Sequence, residues 1–71
     1  MKPNGSMIRS IRVGRKLTLP GLEALTGLNR GYLSRLERDL IQDVGSEQVR
    51  RVAEGLRVPE DLLIATEEST P

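Results

Sequence analysis

The sequence predicts an all-α fold, a compact domain of five helices around one apolar core. Three observations predict it. Apolar residues recur at three- and four-residue steps, as in Leu33 and Leu36, or Val49, Val52, Ala53 and Leu56. Residues that start or stop helices (Thr18, Pro20, Gly27, Asn29, Ser46 and Pro59) separate these runs. The chain has 71 residues and neither cysteine nor histidine, so disulfide staples and the common zinc sites are excluded and packed helices must hold it.

Met1 to Ser6 has no periodicity and contains Pro3 and Gly5, which predicts a disordered lead over residues 1–6, with Gly5-Ser6-Met7 readable as a cloning junction. The domain proper is expected over 7–65. Ile8, Ile11 and Leu17 among Arg9, Arg12, Arg15 and Lys16 give a first helix from Met7 that ends near Gly14 to Lys16. Thr18 can cap the second helix, because its hydroxyl accepts from a first-turn amide that lacks an intrahelical partner. Pro20 is tolerated there for the same reason. Leu22 and Leu25 are expected on one inward face, and Gly27 stops the helix where a positive φ is needed. Asn29 caps the third helix, with Leu33 and Leu36 inward and Arg30, Ser34, Arg35 and Arg38 on the polar side. Asp39 to Gly45 reads as a loop, Ser46 as the cap of the fourth helix, and Pro59 as the start of a short fifth helix with Leu62 and Leu63 apolar. Residues 66–71 read as a flexible tail.

Net charge is only +1, yet residues 1–38 carry +6 and residues 39–71 carry −5. A basic half joined to an acidic half suggests one face toward phosphates and another toward solvent or a partner. Tyr32 is the only aromatic residue, so a base-stacking surface for single strands, which needs several aromatic platforms, is not expected. The longest apolar run, Leu62 to Ala65, is far short of the ~20 residues that span a bilayer, and no secretory signal is visible, so a cytoplasmic protein with no membrane partner is expected. Ser34 has no histidine to activate it, and the scattered carboxylates do not form a metal cluster, so no enzyme, cofactor or metal is expected. Two short helices around a Gly-containing turn, the second bearing arginines, is the arrangement that sets a helix into the DNA major groove.

With those residues placed, the chain resembles the lambda-repressor-like helix-turn-helix family of Cro-type and xenobiotic-response-element-type regulators. The resemblance runs from about Ile8 to Ile64 and rests on Arg12, Leu17-Thr18, Leu22, Thr26-Gly27-Leu28, the string GYLSRLER from Gly31 to Arg38, and Val52-Ala53-Glu54 with Leu56 and Val58. It implies a sequence-specific regulator of transcription, repressor-like and of phage or mobile-element style, that binds double-stranded DNA and often forms homodimers on paired half-sites. Asn29 to Arg38 would be the recognition helix. Arg30, Gly31, Ser34, Arg35 and Arg38 would face the groove, since an arginine fork can donate twice to guanine while Gly31 permits close approach. Tyr32 either donates to a phosphate or packs its ring at the helix edge. The start of the second helix would also meet the DNA backbone. Arg12 and Glu37 match positions that form a structural ion pair.

Four features depart from the family. Glu23 stands where alanine is preferred, so either the helices splay or its carboxylate pairs with a cation such as Arg30. Leu19 replaces a common glutamine. Asp39 replaces a glycine and opens a longer loop containing Leu40 and Ile41, which either close the core or join a protein contact. Arg57 stands where glycine commonly ends the fourth helix. The alternative to DNA binding is a helix-turn-helix-shaped protein-interaction module, antitoxin-like or recruiting, whose acidic second half docks a partner.

Overall fold

Asn4 begins the first helix: its side-chain oxygen accepts from the Met7 amide, and α1 runs Gly5–Gly14. The computed structural model describes residues 1–65. It contains α1, α2 (Leu19–Thr26), α3 (Arg30–Glu37), α4 (Ser46–Leu56) and one 3-10 turn (Glu60–Leu63). Among the described residues there is no named strand, and the one β-bridge pairs Pro3 with Ile64.

The N-terminal residues therefore differ from the expected disordered lead. Pro3 is buried, the Asn4 amide donates to Leu63 O at 2.8 Å, and the Ala65 amide donates to Lys2 O at 2.9 Å. Gly5 lies against the end of α3, where a Cβ would come within 2.4 Å of Leu36 O and 2.7 Å of Glu37 O. Its amide donates to Asp39 Oδ1 at 3.0 Å. Lone backbone groups in a polar stretch carry no periodic signal, which is why the pattern of side chains missed them. The expected tail, 66–71, lies outside the described residues.

The caps hold α2 and α3 to the boundaries that their residue types favour. Thr18 Oγ1 accepts from the Gly21 amide at 3.0 Å, and Gly27 ends α2 at φ 77°. Asn29 Oδ1 accepts from the Gly31 amide at 2.7 Å. At α4 the boundary shifts by one: Gly45 takes the extended cap conformation, Ser46 is already helical, and no side-chain cap bond forms. The fifth element is a 3-10 turn rather than an α-helix, so among the described residues the α-helices number four. Between Pro59 and the extended Ile64 only four residues fit, and Leu62 N bonds to Pro59 O, three residues back.

One apolar cluster draws on every element: Ile8 from α1, Leu22 from α2, Leu33 and Leu36 from α3, Val49, Val52, Ala53 and Leu56 from α4, with Val44 and Leu63 closing it. Leu25 does not join Leu22; it is 56% exposed, and Thr26 is buried in its place. A short helix packed on both α3 and α4 turns its i, i+4 column inward. The Thr26 hydroxyl is satisfied there, donating to Leu22 O at 2.8 Å and accepting from the Leu28 amide at 3.1 Å. Leu63 is buried while Leu62 is exposed. In the 39–45 loop Ile41 packs on the core, whereas Leu40 stays exposed.

Both glycine replacements fall at positive φ. Asp39 lies at φ 60° and Arg57 at φ 61°, with Lys16 similar at 59°. Left-handed backbone costs an L-residue roughly 1–2 kcal/mol, which is the reason glycine is common at such helix ends. Asp39 recovers part of that cost through its bond to the Gly5 amide.

Candidate nucleic-acid interface

At about 100° per residue, Arg30, Ser34, Arg38, Gly31 and Arg35 fall within an arc of about 140° on α3 and its C-cap. The opposite side holds Leu33 and Leu36, both buried, while Glu37, at the flank of the arc, is buried toward α1. Burial of that side fixes the rotation of α3 and so turns the arginine arc outward. Arg30, Arg35 and Arg38 are exposed, and Gly31 and Ser34 are half-buried at the same surface. Every groove-facing residue expected from the sequence is thus brought to one strip. None of the five residues of that strip is acidic, and among the described residues the one carboxylate that pairs with its arginines is Glu23 of α2, at Arg30.

Tyr32 sits at the edge between strip and core, half-buried, with its ring packed against the core cluster. Burial pushes its phenol above the ordinary value, partly opposed by the Arg35 charge. At neutral pH the hydroxyl is therefore protonated and able to donate.

Behind the strip, Arg12 and Glu37 join α1 to α3. Arg12 Nε donates to Glu37 Oε2 at 2.6 Å, Nη2 to Oε1 at 3.0 Å, and Nη1 to Leu17 O at 2.8 Å. Their side chains are 12% and 5% exposed. The hydrogen bond from Arg12 to Glu37 raises the guanidinium pKa further, desolvation working against it. Both groups are occupied and inward, so they brace α3 rather than face a ligand.

Glu23 resolves the first departure in favour of pairing. Its Oε1 accepts from Arg30 Nε at 3.2 Å, and its Oε2 accepts from the Arg30 backbone amide at 3.3 Å. The carboxylate thereby occupies the first amide of α3, and Asn29 occupies the second. Gly31 leaves room beside them: a Cβ there would lie 2.9 Å from Asn29 Oδ1 and 3.7 Å from Arg35 Nη1. The Arg35 guanidinium therefore folds back toward the N-terminal turn of α3, as helical side chains do.

The start of α2 offers less than its position suggested. Pro20 has no amide hydrogen, Thr18 takes the Gly21 amide, and the Leu22 amide bonds to Thr18 O. Among the described residues that leaves the Leu19 amide as the one first-turn donor without a partner in the chain.

The acidic half does not form an acidic face on α4. Glu47 accepts from Arg50 Nη2 at 2.7 Å and Arg51 Nε at 2.9 Å, and Glu54 accepts from Arg50 Nη1 at 3.2 Å. These bonds, chiefly the one from Arg50, hold the Glu47 carboxyl below its ordinary range. Charge on this helix is balanced along its own surface, so α4 gives no support to the expected acidic docking site. No described helix is long and apolar enough to cross a membrane, and the described residues contain no cluster of potential metal ligands.

Comparison with known proteins agrees with this geometry. The profile of the helix-turn-helix family matches residues 8–63. No curated protein sequence matches the chain. Among solved structures, the chain is similar to the restriction-modification controller protein C.AhdI from Aeromonas hydrophila, with 26% identity over 82% of this chain and 86% of that one, at a TM-score of 0.76. It is similar to the clp gene regulator ClgR from C. glutamicum, with 34% identity over 82% and 75% of the two chains and a TM-score of 0.73. It is also similar to SinR, the master regulator for biofilm formation solved in complex with DNA, with 26% identity over 80% and 90% and a TM-score of 0.76. The chain belongs to the helix-turn-helix family in its lambda-repressor-like form.

Proposed function

We propose that the chain is a transcriptional regulator that binds double-stranded DNA sequence-specifically, with α3 as the helix that enters the major groove. The observation that carries this is the outward strip of α3. It gathers Arg30, Arg35 and Arg38 beside Gly31 and Ser34, has no acidic residue of its own, and is rotated outward by a buried opposite face. Arg30, Ser34 and Arg35 are the base-reading set, Gly31 admits the DNA closely, and Arg38 with the Tyr32 hydroxyl serves phosphates. Two copies on paired half-sites about one helical turn apart would follow the family's common arrangement. That SinR was solved in complex with DNA supports the reading by likeness. Membership of a family of non-enzymatic regulators makes the chain a binding protein and not an enzyme.

Titration against a randomised duplex pool, followed by sequencing of the bound fraction, tests this. The expected result is an enriched site whose affinity falls as salt rises, because phosphate neutralisation releases counterions. Replacing Arg35 and Arg38 with glutamate is expected to abolish binding while α1 and α4 remain folded. A salt-insensitive signal, or none with any duplex, would refute the proposal.

A further inference from the structure

Resting on that reading, we infer that Glu23 is a positioning residue for base recognition: it holds Arg30 by its Nε edge so that the far end of the fork addresses one base. Glu23 lies on α2, seven residues before its partner, and is the one carboxylate within ion-pair distance of an α3 arginine among the described residues. It grips Arg30 twice, at the backbone amide and at Nε. The amide bond fixes where the side chain starts, and the Nε bond restricts its torsions. Arginine carries five N–H donors in a planar fork, so engaging Nε leaves both Nη groups free on the outer edge. Those two are the donors that a guanine O6 and N7 pair accepts. An untethered arginine on an exposed helix spreads over many rotamers and finds phosphates as readily as bases.

The carboxylate also discriminates by repulsion. A negative charge at the α3 N-terminus disfavours a phosphate at the same place, where a bare helix end would attract one. Glu23 therefore lowers binding in shifted registers as well as favouring the matched one, which is how specificity against near alternatives is generally built.

The experiment compares base preference of the full chain with Glu23→Ala, Glu23→Gln, Arg30→Ala and the Glu23→Ala/Arg30→Ala pair, using a randomised duplex pool and a mixed-sequence duplex, each with a thermal melt. The expected result is that the wild type selects guanine at one position and that Glu23→Ala weakens this preference by about tenfold, within the range that one bidentate pair supports. Affinity for the mixed-sequence duplex is expected to stay level or rise. Glu23→Gln keeps an acceptor oxygen at the same reach and should restore part of the preference. In the Arg30→Ala background, loss of Glu23 should change nothing further at that position. An unaltered preference in Glu23→Ala, or an equal change with Arg30 absent, overturns the inference while leaving DNA binding intact. A uniform loss over all sequences that tracks a lower melting temperature likewise overturns it, as the mark of a purely structural role. A wild type that binds no duplex removes the inference together with the functional reading.

Discussion

Replacing Arg12 with methionine leaves a carboxylate that is only 5% exposed without either of its arginine bonds, and leaves Leu17 O without its donor. Breaking a buried pair from one side costs about 3–5 kcal/mol, since an uncompensated charge stays behind in the interior. A domain of this length has a total stability of about 4–10 kcal/mol, from the usual 0.05–0.15 kcal/mol per residue. The single substitution therefore removes a large share of what holds the fold. At about 4–8 °C per kcal/mol for so small a domain, the melting temperature should fall by roughly 12–40 °C. Far-UV circular dichroism against temperature and urea measures this directly. The informative companion is Arg12→Met with Glu37→Leu, which removes both charges and keeps an apolar filling of similar bulk. It should recover to within about 1 kcal/mol of the wild type, because the pair's attraction and its desolvation nearly offset. It should also retain DNA binding, since neither side chain lies on the outward strip. A single variant that costs less than about 1 kcal/mol would mean that water reaches the pair, and the burial argument would fail.

Two further expectations follow from the backbone and from α4. Arg57→Gly should stabilise the fold by about 1 kcal/mol by relieving left-handed strain, whereas Asp39→Gly should not, because it also loses the bond to the Gly5 amide. Equal gains in urea midpoint would show that the Asp39 cap contributes nothing. Glu47 has its pKa lowered in the fold by Arg50 and Arg51, so its contribution is present above the unfolded-state value and lost as pH falls through the folded one. The urea-midpoint gap between wild type and Glu47→Gln should thus be seen at neutral pH and close in acid. A gap of constant size across that range would contradict the ion-pair assignment.

The parts of this domain that could be read in the sequence are those whose cause is local. Thr18 and Asn29 accept from amides two or three residues on, and Gly27 acts through its own positive φ, so the limits of α2 and α3 could be placed from residue type. The outward strip was equally legible, because the four-residue spacing of Arg30, Ser34 and Arg38 and the inward Leu33 and Leu36 fix each other. Asp39 and Arg57 could be marked as replacing glycines, and the reason, a positive φ at both, is a property of helix ends. Distant causes were not legible. Leu25 and Thr26 exchange places because α3 and α4 both lean on α2, and no pattern within eight residues reports that. Residues 1–5 acquire much of their order from distant partners, Asp39, Val44, Leu63, Ile64 and Ala65. Glu23 could be seen to need a cation, but the double contact to Arg30 depends on how closely α2 and α3 approach across the turn.

The pairing of Pro3 with Ile64 has a consequence for how the molecule can be handled. Residues 2–4 and 63–65 run antiparallel as a clasp, tied by two backbone bonds about sixty positions apart in the chain. Closing so long a loop is entropically expensive, so the clasp should form late in folding and open early in unfolding. A tag placed before Met1 would disturb the next contact along, since the Met1 ammonium pairs with Asp43 and the Val44 amide donates to Met1 O at 2.7 Å. Trimming the first four residues as dispensable would strip hydrogen bonds from the segment that seats Leu63 in the core. The damage from an N-terminal truncation would then surface at the other end of the fold.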